Sequence, residues 1–312
     1  DQPHFDTDTR RQLLAIMSDA FDGLLGRYRK LAKSGQVELS MTPYGHPIVP
    51  LLIDLGAMRG AMPEAEGPAN PAYPDGLERA RWHMREGLRV FKRLLGCKPH
   101  GVWLSEGGVS APALQLLDEF DIRWSASGEG VWNNSRFESK LPAQGEEGRR
   151  SLFSPNAVDG CDARMFFRDD GLSDLIGFEY QQWDAVDAAI DFNRHLGNIS
   201  AFLGDRPDKH VVSVILDGEN AWEYYPDNAF HFLGALYEQL ASSEKVRLLT
   251  FSEALEQVPP AAFGHGVGEH GHAVAEVEGD VEPISVGDQT SGHAAAEEPQ
   301  RPVLPRLAAP SR

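Results

Sequence analysis

Two acidic residues stand close behind short apolar segments, at points where the chain is free to turn. Asp217 ends the run Val211–Leu216 and is followed by a glycine, and Glu106 follows Gly101–Leu104 and precedes two glycines. The carboxyl ends of parallel strands meet at one edge of a sheet, where α/β enzymes build their active sites. Two carboxylates that flank one bond, one protonated and one ionised, are the usual requirement for glycoside cleavage.

Each acid also has a simpler interpretation. A strand-end acid such as Asp217 often caps the next helix, and an acid beside glycines, such as Glu106, often belongs to an ordinary turn. The neighbours of Asp217 weaken its simpler interpretation, because like charges at this spacing cost energy unless a function uses them. These polar and aromatic neighbours are Glu219, Asn220, Trp222 and Glu223.

A third segment and two tryptophans add candidates. Glu38 lies inside the apolar segment 37–42, and His46 stands between Gly and Pro in a rigid turn close to Tyr44. Such a histidine could donate a hydrogen bond to a sugar hydroxyl, although most loop histidines have no such role. Trp103 and Trp222 adjoin the two acids, and either could pack in the core or stack on the apolar face of a sugar ring.

Composition excludes several classes of function. The formal net charge of −18 opposes binding to nucleic acid, so no nucleic-acid partner is expected. No run of 18 apolar residues is present, so no membrane partner is expected either. Two cysteines, Cys97 and Cys161, cannot build a disulfide framework; they favour a reducing compartment, and we expect a cytoplasmic protein.

The most basic stretch, Arg79–Arg93, is predicted to be a helix with a solvated charged face. Its apolar face is predicted to consist of Trp82, Leu88, Phe91 and Leu94.

Strand-like and helix-like segments alternate along residues 1–260, which is typical of a parallel sheet covered by helices. The predicted strands are Val37–Thr42, Gly101–Leu104, Ile122–Ala126, Ala163–Phe167, Val211–Asp217 and Val246–Phe251. The predicted helices are Arg10–Lys33, Leu77–Leu95, Ser110–Phe120, Ala185–Leu203, Asn228–Ala241 and Ser252–Val258. A closed β/α barrel and a doubly wound sheet both fit this order. The low strand count and the late first strand indicate a barrel that lacks its N-terminal part.

Residues 261–312 form a second region of different composition. From Gly264 onward the chain has no aromatic residue and is dense in Gly, Ala, Glu, Pro and His. Such a segment lacks the apolar surface that would offset the entropy of ordering, so a disordered tail is predicted. Its histidine cluster, His265, His270 and His272, is not expected to bind metal, because ordering a floppy segment opposes binding.

Three of these segments together resemble motifs of glycoside hydrolase family 57, of the amylopullulanase and α-amylase type. Residues 36–52 (QVELSMTPYGHPIVPLL) resemble its second motif, residues 101–110 (GVWLSEGGVS) its third, and residues 214–225 (VILDGENAWEYY) its fourth. Residues 249–255 resemble the fifth motif more weakly, and residues 171–183 are also typical of the family.

The resemblance implies an α/β fold, an incomplete (β/α)7-type barrel. It also implies a retaining enzyme that acts on α-glucans such as starch, glycogen or maltooligosaccharides, with Glu106 as nucleophile and Asp217 as acid/base. No metal or cofactor is implied, and the oligomeric state stays open. The substrate contacts implied by matching positions are Glu38, His46, Trp103, Glu219 and Trp222.

The chain also departs from the family pattern. The first motif is absent, residues 125–129 lack an expected Asp, and the low-complexity tail stands where a helical domain is expected. An α-glucan transglycosylase and a catalytically impaired glycan-binding remnant therefore remain alternatives. A metal-dependent polysaccharide deacetylase is a more distant one, because the expected Asp with a helical His pair is missing from residues 1–260.

Overall fold

The computed structural model describes residues 6–62, 64, 66–69, 72–138, 146–218 and 222–263. Its sheet has five strands in the order β1-β2-β4-β3-β5. The strands are β1 Gly101–Val102, β2 Trp124–Ser127, β3 Asn156–Val158, β4 Arg164–Phe167 and β5 Ala261–Phe263. Strands β1, β2 and β4 are parallel, β3 is antiparallel to β4, and β5 is parallel to β3.

Two single bridges extend the parallel part of the sheet on both sides. Met41 pairs with Val102 in β1, and Ser213 pairs with Arg168 just after β4. The Met41 bridge is made by Met41 N–H to Gly101 at 3.3 Å and Trp103 N–H to Met41 at 2.9 Å. Five parallel segments thus lie side by side, in the spatial order Met41 segment, β1, β2, β4 and Ser213 segment. This part of the fold carries the candidate acids.

Helices cover this sheet and mostly lie where the hydrophobic spacing predicts them. They are α1 Thr7–Phe21, α2 Leu24–Lys33, α3 Val49–Ile53, α4 Gly76–Leu95, α5 Ala111–Asp118, α6 Glu129–Glu138, α7 Glu146–Arg150, α8 Asp170–Asp174, α9 Ala185–Leu203, α10 Phe230–Ser242 and α11 Phe251–Gln257. The alternation of strand and helix with a mostly parallel sheet confirms the predicted α/β class. The helix predicted over residues 10–33 is divided in two, because Gly23 adopts a left-handed conformation with φ of 76°.

The two faces of the sheet have different neighbours. Val102, Leu104 and Met165 point to the helices and belong to the main buried cluster. Trp124, Ala126 and Phe166 point the other way and form a smaller cluster, to which Trp103 and Ile215 are added. We call this second side the inner face. Trp103 and Ile215 come from segments separated by β2 and β4, yet they pack on one cluster, so the sheet curves around it, as an incomplete barrel does.

Three predicted strands are reduced to a single bridge or are absent. Segments 37–42 and 211–217 make only the single bridges at Met41 and Ser213. Val246–Phe251 is not a strand: Thr250 caps helix α11 through reciprocal hydrogen bonds with Glu253, so the local capping chemistry overrides the apolar pattern. The antiparallel strand β3 was missed, because a three-residue strand carries too little periodicity to be recognised.

The predicted tail begins three residues too early. Ala261–Phe263 form β5 against β3, with Ala261 N–H donating to Pro155 at 2.8 Å. Sheet pairing stabilises these residues where composition alone favours disorder. The rest of the predicted tail, including His265, His270 and His272, lies outside the described residues. Among the helices that are described, none is long and apolar enough to cross a membrane.

Candidate active site

Glu106 sits in a tight turn whose backbone is firmly held. It lies in a short 3-10 segment, Ser105–Gly107, with φ of 56° and ψ of 26°, a left-handed conformation that is uncommon outside glycine. Ser127 at the end of β2 donates its hydroxyl to the Gly107 carbonyl at 2.5 Å, and Ser105 is fully buried. Such strain costs about 1–3 kcal/mol and persists where the surroundings over-determine it, most often at functional sites.

The carboxylate of Glu106 is left open by this turn. Its side chain is 71% exposed, and the described contact is His46, whose Nδ1 lies 3.8 Å from Glu106 Oε1. His46 is also in a left-handed conformation, with φ of 54°, and its N–H donates to Pro43 at 3.0 Å. The second-motif turn and the third-motif turn therefore meet at the same edge, and a histidine faces the candidate nucleophile.

Trp103 lies beside the same turn. A side chain added at Gly107 would contact the Trp103 ring at 3.4 Å, so the glycine allows the ring to lie close to the backbone of the Glu106 turn. The ring belongs to the inner face and is only partly buried. The structure thus brings together Glu106, His46 and Trp103, all three of which the sequence identified.

Asp217 ends the last parallel segment at the same edge of the sheet. Ser213 bonds to Asp169 N–H at 2.8 Å, and alternation along the segment is clear: Ile215 packs on the inner face while Leu216 packs on the helical side. Continuation of this alternation by one residue predicts that the Asp217 side chain lies on the same side as Ile215. Asp217 is exposed to solvent.

Of the other two candidates in the fourth motif, Trp222 is described by the structure and Glu219 is not. Trp222 is partly buried and packs edge-on against Tyr225, with ring centroids 5.7 Å apart, at the cluster formed by α9 and α10. That contact supports the core-packing interpretation for this ring, with its remaining surface open. Glu219 lies outside the described residues.

Glu38 is at the opposite edge of the sheet. Its carboxylate accepts hydrogen bonds from Trp124 Nε1 at 3.0 Å, Ser252 N–H at 2.9 Å and the Ser252 hydroxyl at 2.5 Å. Trp124 begins β2 and Ser252 lies in the first turn of α11, so these partners lie at the amino ends of the strands. The structure does not bring Glu38 to the other candidates, and its oxygens are used to join segment 37–42 to β2 and α11.

A charged network at the Glu106 edge escaped the sequence interpretation. Arg168, next after β4, donates Nε to the Ile215 carbonyl at 3.0 Å and Nη1 to Asp170 at 2.7 Å, and it also bonds to Asp174. Glu129, just after β2, exchanges hydrogen bonds with Asp170 through both backbone N–H groups, at 3.3 and 3.4 Å. The network ties β4 to β2 and to the segment that carries Asp217. The rule that found Glu106 and Asp217, a charged residue directly after a strand, applies here as well.

Burial raises the pKa of two acids in this region. Burial raises the pKa of Glu129, and the Arg149 guanidinium, 3.4 Å away, offsets only part of this change. Burial likewise raises the pKa of Asp169, although its carboxylate accepts the Leu172 N–H at 2.8 Å. Both carboxyl groups are largely buried within the protein, whereas Glu106 and Asp217 face solvent.

The residues that the structure describes contain no group of three or more His, Cys, Asp or Glu side chains arranged to hold a metal ion. The geometry at this edge offers carboxylates, an imidazole and an indole ring, a set suited to acid–base and nucleophilic chemistry on a polyhydroxylated substrate.

Solved structures with a similar fold include three enzymes. The 4-alpha-glucanotransferase of Thermococcus litoralis matches with a TM-score of 0.53 at 22% identity, over 80% of this chain and 33% of that one. The alpha-amylase AmyC of Thermotoga maritima matches with a TM-score of 0.57 at 13% identity, over 84% of this chain and 57% of that one. The branching enzyme of Pyrococcus horikoshii matches with a TM-score of 0.57 at 16% identity, over 84% of this chain and 53% of that one.

This chain therefore spans about a third to somewhat over half of the length of those proteins. No curated protein matches it. The family model described as Glycosyl hydrolase family 57 matches residues 11–267, which is most of the chain. The chain belongs to glycosyl hydrolase family 57.

Proposed function

We propose that the chain is the catalytic part of a retaining enzyme that acts on α-linked glucans. The observation that carries the proposal is the strained, firmly held turn that presents the exposed carboxylate of Glu106 beside His46 and Trp103. Family membership supports a glycosyl-transfer reaction. The names of the solved relatives, a 4-alpha-glucanotransferase and an alpha-amylase, support α-glucans as the substrate class.

Glu106 is the proposed nucleophile. Its ionised carboxylate attacks the anomeric carbon, the bond to the leaving oxygen breaks, and a covalent glycosyl-enzyme forms. His46 is the proposed contact to a sugar hydroxyl or to the nucleophile itself, and the 3.8 Å between its Nδ1 atom and the Glu106 carboxylate supports this role. Trp103, beside the turn, is the proposed stacking surface for the sugar at the reacting carbon.

Asp217 is the proposed acid/base. It gives a proton to the leaving oxygen in the first step and takes a proton from water, or from an acceptor sugar, in the second. A retaining mechanism needs the two carboxyl groups roughly 5–5.5 Å apart. Ile215, two residues before Asp217, packs with Trp103 on the inner-face cluster, and this supports an approach of the two segments towards one space.

Product analysis tests the proposal. The full chain is incubated with maltoheptaose, and the products are separated by length and by anomeric configuration at early times. Release of shorter α-anomers supports a retaining enzyme, and products longer than the substrate identify transfer to sugar in place of hydrolysis. Initial release of β-anomers contradicts the retaining mechanism, and an absence of any new product supports the glycan-binding alternative.

A further inference from the structure

An aromatic pair on the surface extends from the candidate site along helix α4. The rings of Tyr44 and Trp82 pack edge to face, with centroids 5.7 Å apart and an interplanar angle of 83°. Both side chains remain open to solvent, Tyr44 at 44% and Trp82 at 49%. The sequence placed Trp82 on the apolar face of its helix; that prediction is wrong, since the buried residues of α4 are Gly76, Ala80, Met84, Gly87 and Phe91.

Contacts with helix α4 hold the Tyr44–Trp82 pair in place. Tyr44 N–H donates to the His83 carbonyl at 3.1 Å, and the His83 Nδ1 atom bonds to the Tyr44 carbonyl. The His83 ring also packs edge to face on Trp82, with centroids 4.9 Å apart. Gly87 lets the Tyr44 backbone approach the helix, because a side chain there would lie 3.2 Å from Tyr44 N. Rigid aromatic surfaces bind with little loss of entropy.

The pair is continuous with the candidate site. Tyr44 is two residues from His46, so their Cα atoms are no more than about 7 Å apart, and His46 faces Glu106. In an edge-to-face pair, one ring keeps both of its faces clear of the other ring. One helical turn beyond Trp82, Glu86 accepts a hydrogen bond from Arg89 Nε at 2.8 Å, so planar polar groups lie on the same side of the helix.

We propose that Tyr44 and Trp82 form a binding platform for glucose units of an α-glucan chain beyond the cleaved bond. The inference rests on the proposed function for the kind of ligand, and it adds a preference for long chains over short ones. Exposed aromatic rings are costly to leave in water, and the apolar face of a pyranose ring covers such a surface while its hydroxyls reach polar side chains nearby.

Activity on two chain lengths tests the platform. Trp82→Ala and Trp82→Leu should lower kcat/KM for maltoheptaose about tenfold and leave kcat/KM for maltotriose unchanged, whereas Trp82→Phe should restore most of the loss. Tyr28→Ala is the matched control, since Tyr28 is also 44% exposed and lies on α2, whose Arg29 contacts the far end of α4 at Leu94. Equal losses on both substrates, or no loss, would overturn the inference.

Binding separates this inference from the proposed function. Calorimetry with maltoheptaose is carried out on the full chain carrying Glu106→Gln, which cannot turn the ligand over. A loss of affinity on adding Trp82→Ala, but not Tyr28→Ala, supports the platform even if the unmodified chain shows no turnover. Affinity unaffected by Trp82→Ala, or no binding of maltoheptaose at all, contradicts the platform whatever the products of the unmodified chain are.

Discussion

Glu106 and Glu38 are two glutamates on neighbouring parallel segments, and the fold treats them in opposite ways. The backbone of Glu106 is held in a strained turn while its carboxylate is 71% exposed. The carboxylate of Glu38 is only 14% exposed and accepts three hydrogen bonds from Trp124 and Ser252. A glutamate available for chemistry is thus one whose main chain is fixed and whose oxygens are free. A structural glutamate has its oxygens occupied.

The largest expected effect is on turnover at Glu106. Glu106→Gln keeps the size of the side chain but removes the negative charge, so it should lower kcat by at least about 10⁴-fold on any α-glucan that the chain cleaves. The melting temperature should stay within about 1 °C of the unmodified chain, because an exposed side chain contributes little to stability. Turnover within tenfold of the unmodified chain would remove Glu106 from the mechanism.

Asp217 should show a loss that depends on the substrate. Asp217→Asn removes the proton donor, so cleavage of maltoheptaose should fall by about 10²- to 10⁴-fold. An aryl α-maltooligosaccharide with an acidic phenol needs little protonation of its leaving group, so formation of the glycosyl-enzyme should be nearly spared. Kinetics on both substrates check this difference. Equal losses on the two substrates would mean that Asp217 is not the acid.

Glu38 should lose stability and keep activity. Glu38→Gln places an amide N–H against one of its present donors, which should lower the free energy of unfolding by about 1–3 kcal/mol. For a chain of this size the melting temperature should fall by about 2–4 °C for each kcal/mol. Urea unfolding and the turnover rate are measured on the same preparation. A loss of kcat/KM with unchanged stability would show that Glu38 belongs to the site after all.

Glu129 combines features of Glu106 and Glu38, because it is a buried acid that lies at the same edge of the sheet as Glu106. The dependence of stability on pH tests its role. Burial raises its pKa, so the folded chain holds this proton more tightly than the unfolded chain does. Its contribution to the free energy of unfolding therefore falls as the pH rises from the unfolded value of about 4.3 through the higher folded value. Glu129→Gln should flatten this part of the stability curve, measured by urea unfolding at a series of pH values.

Glu253 is the matched control, because its pKa is shifted in the opposite direction to that of Glu129. The Thr250 N–H bonds to its carboxylate and lowers its pKa, so its contribution is present above the unfolded value of about 4.3 and is lost in more acidic solution. The difference in free energy of unfolding between the unmodified chain and the Glu253→Gln variant should therefore vanish at low pH. If both variants changed the curve in the same direction, burial of Glu129 would not be the cause.

Much of this organisation could be predicted from sequence, and the failures have physical causes. Long helices such as α4 and α9 have strong periodicity, and an acid after a strand followed by glycine led directly to Glu106 and Asp217. Glu38 was expected to contact substrate only by its matching position in the family motif, and such a match does not say which edge of the sheet the side chain reaches. Trp82 was misplaced because a helix with 20 residues has several apolar stripes, and tertiary contacts, such as those at Gly87, decide which one is buried.

The partners of Arg168 could not be predicted in the same way. Its position after a strand is visible in the sequence, but its bonds join Ile215, Asp170 and Asp174, which lie up to 47 residues away. Contacts of that kind depend on how the strands are ordered in space. The strand order 41, β1, β2, β4, 213 is what makes the ends of β4 and of the Asp217 segment neighbours.

Trapping the covalent intermediate tests the central claim most directly. The full chain carrying Asp217→Asn is treated with a fluorinated α-maltosyl fluoride, which forms the glycosyl-enzyme quickly and releases it slowly, and the digested protein is analysed by mass spectrometry. The account predicts one maltosyl adduct, on the peptide around Glu106, and none when Glu106→Gln is added. An adduct on another acidic residue, or an equal adduct in the double variant, would contradict the assignment of Glu106 as the nucleophile.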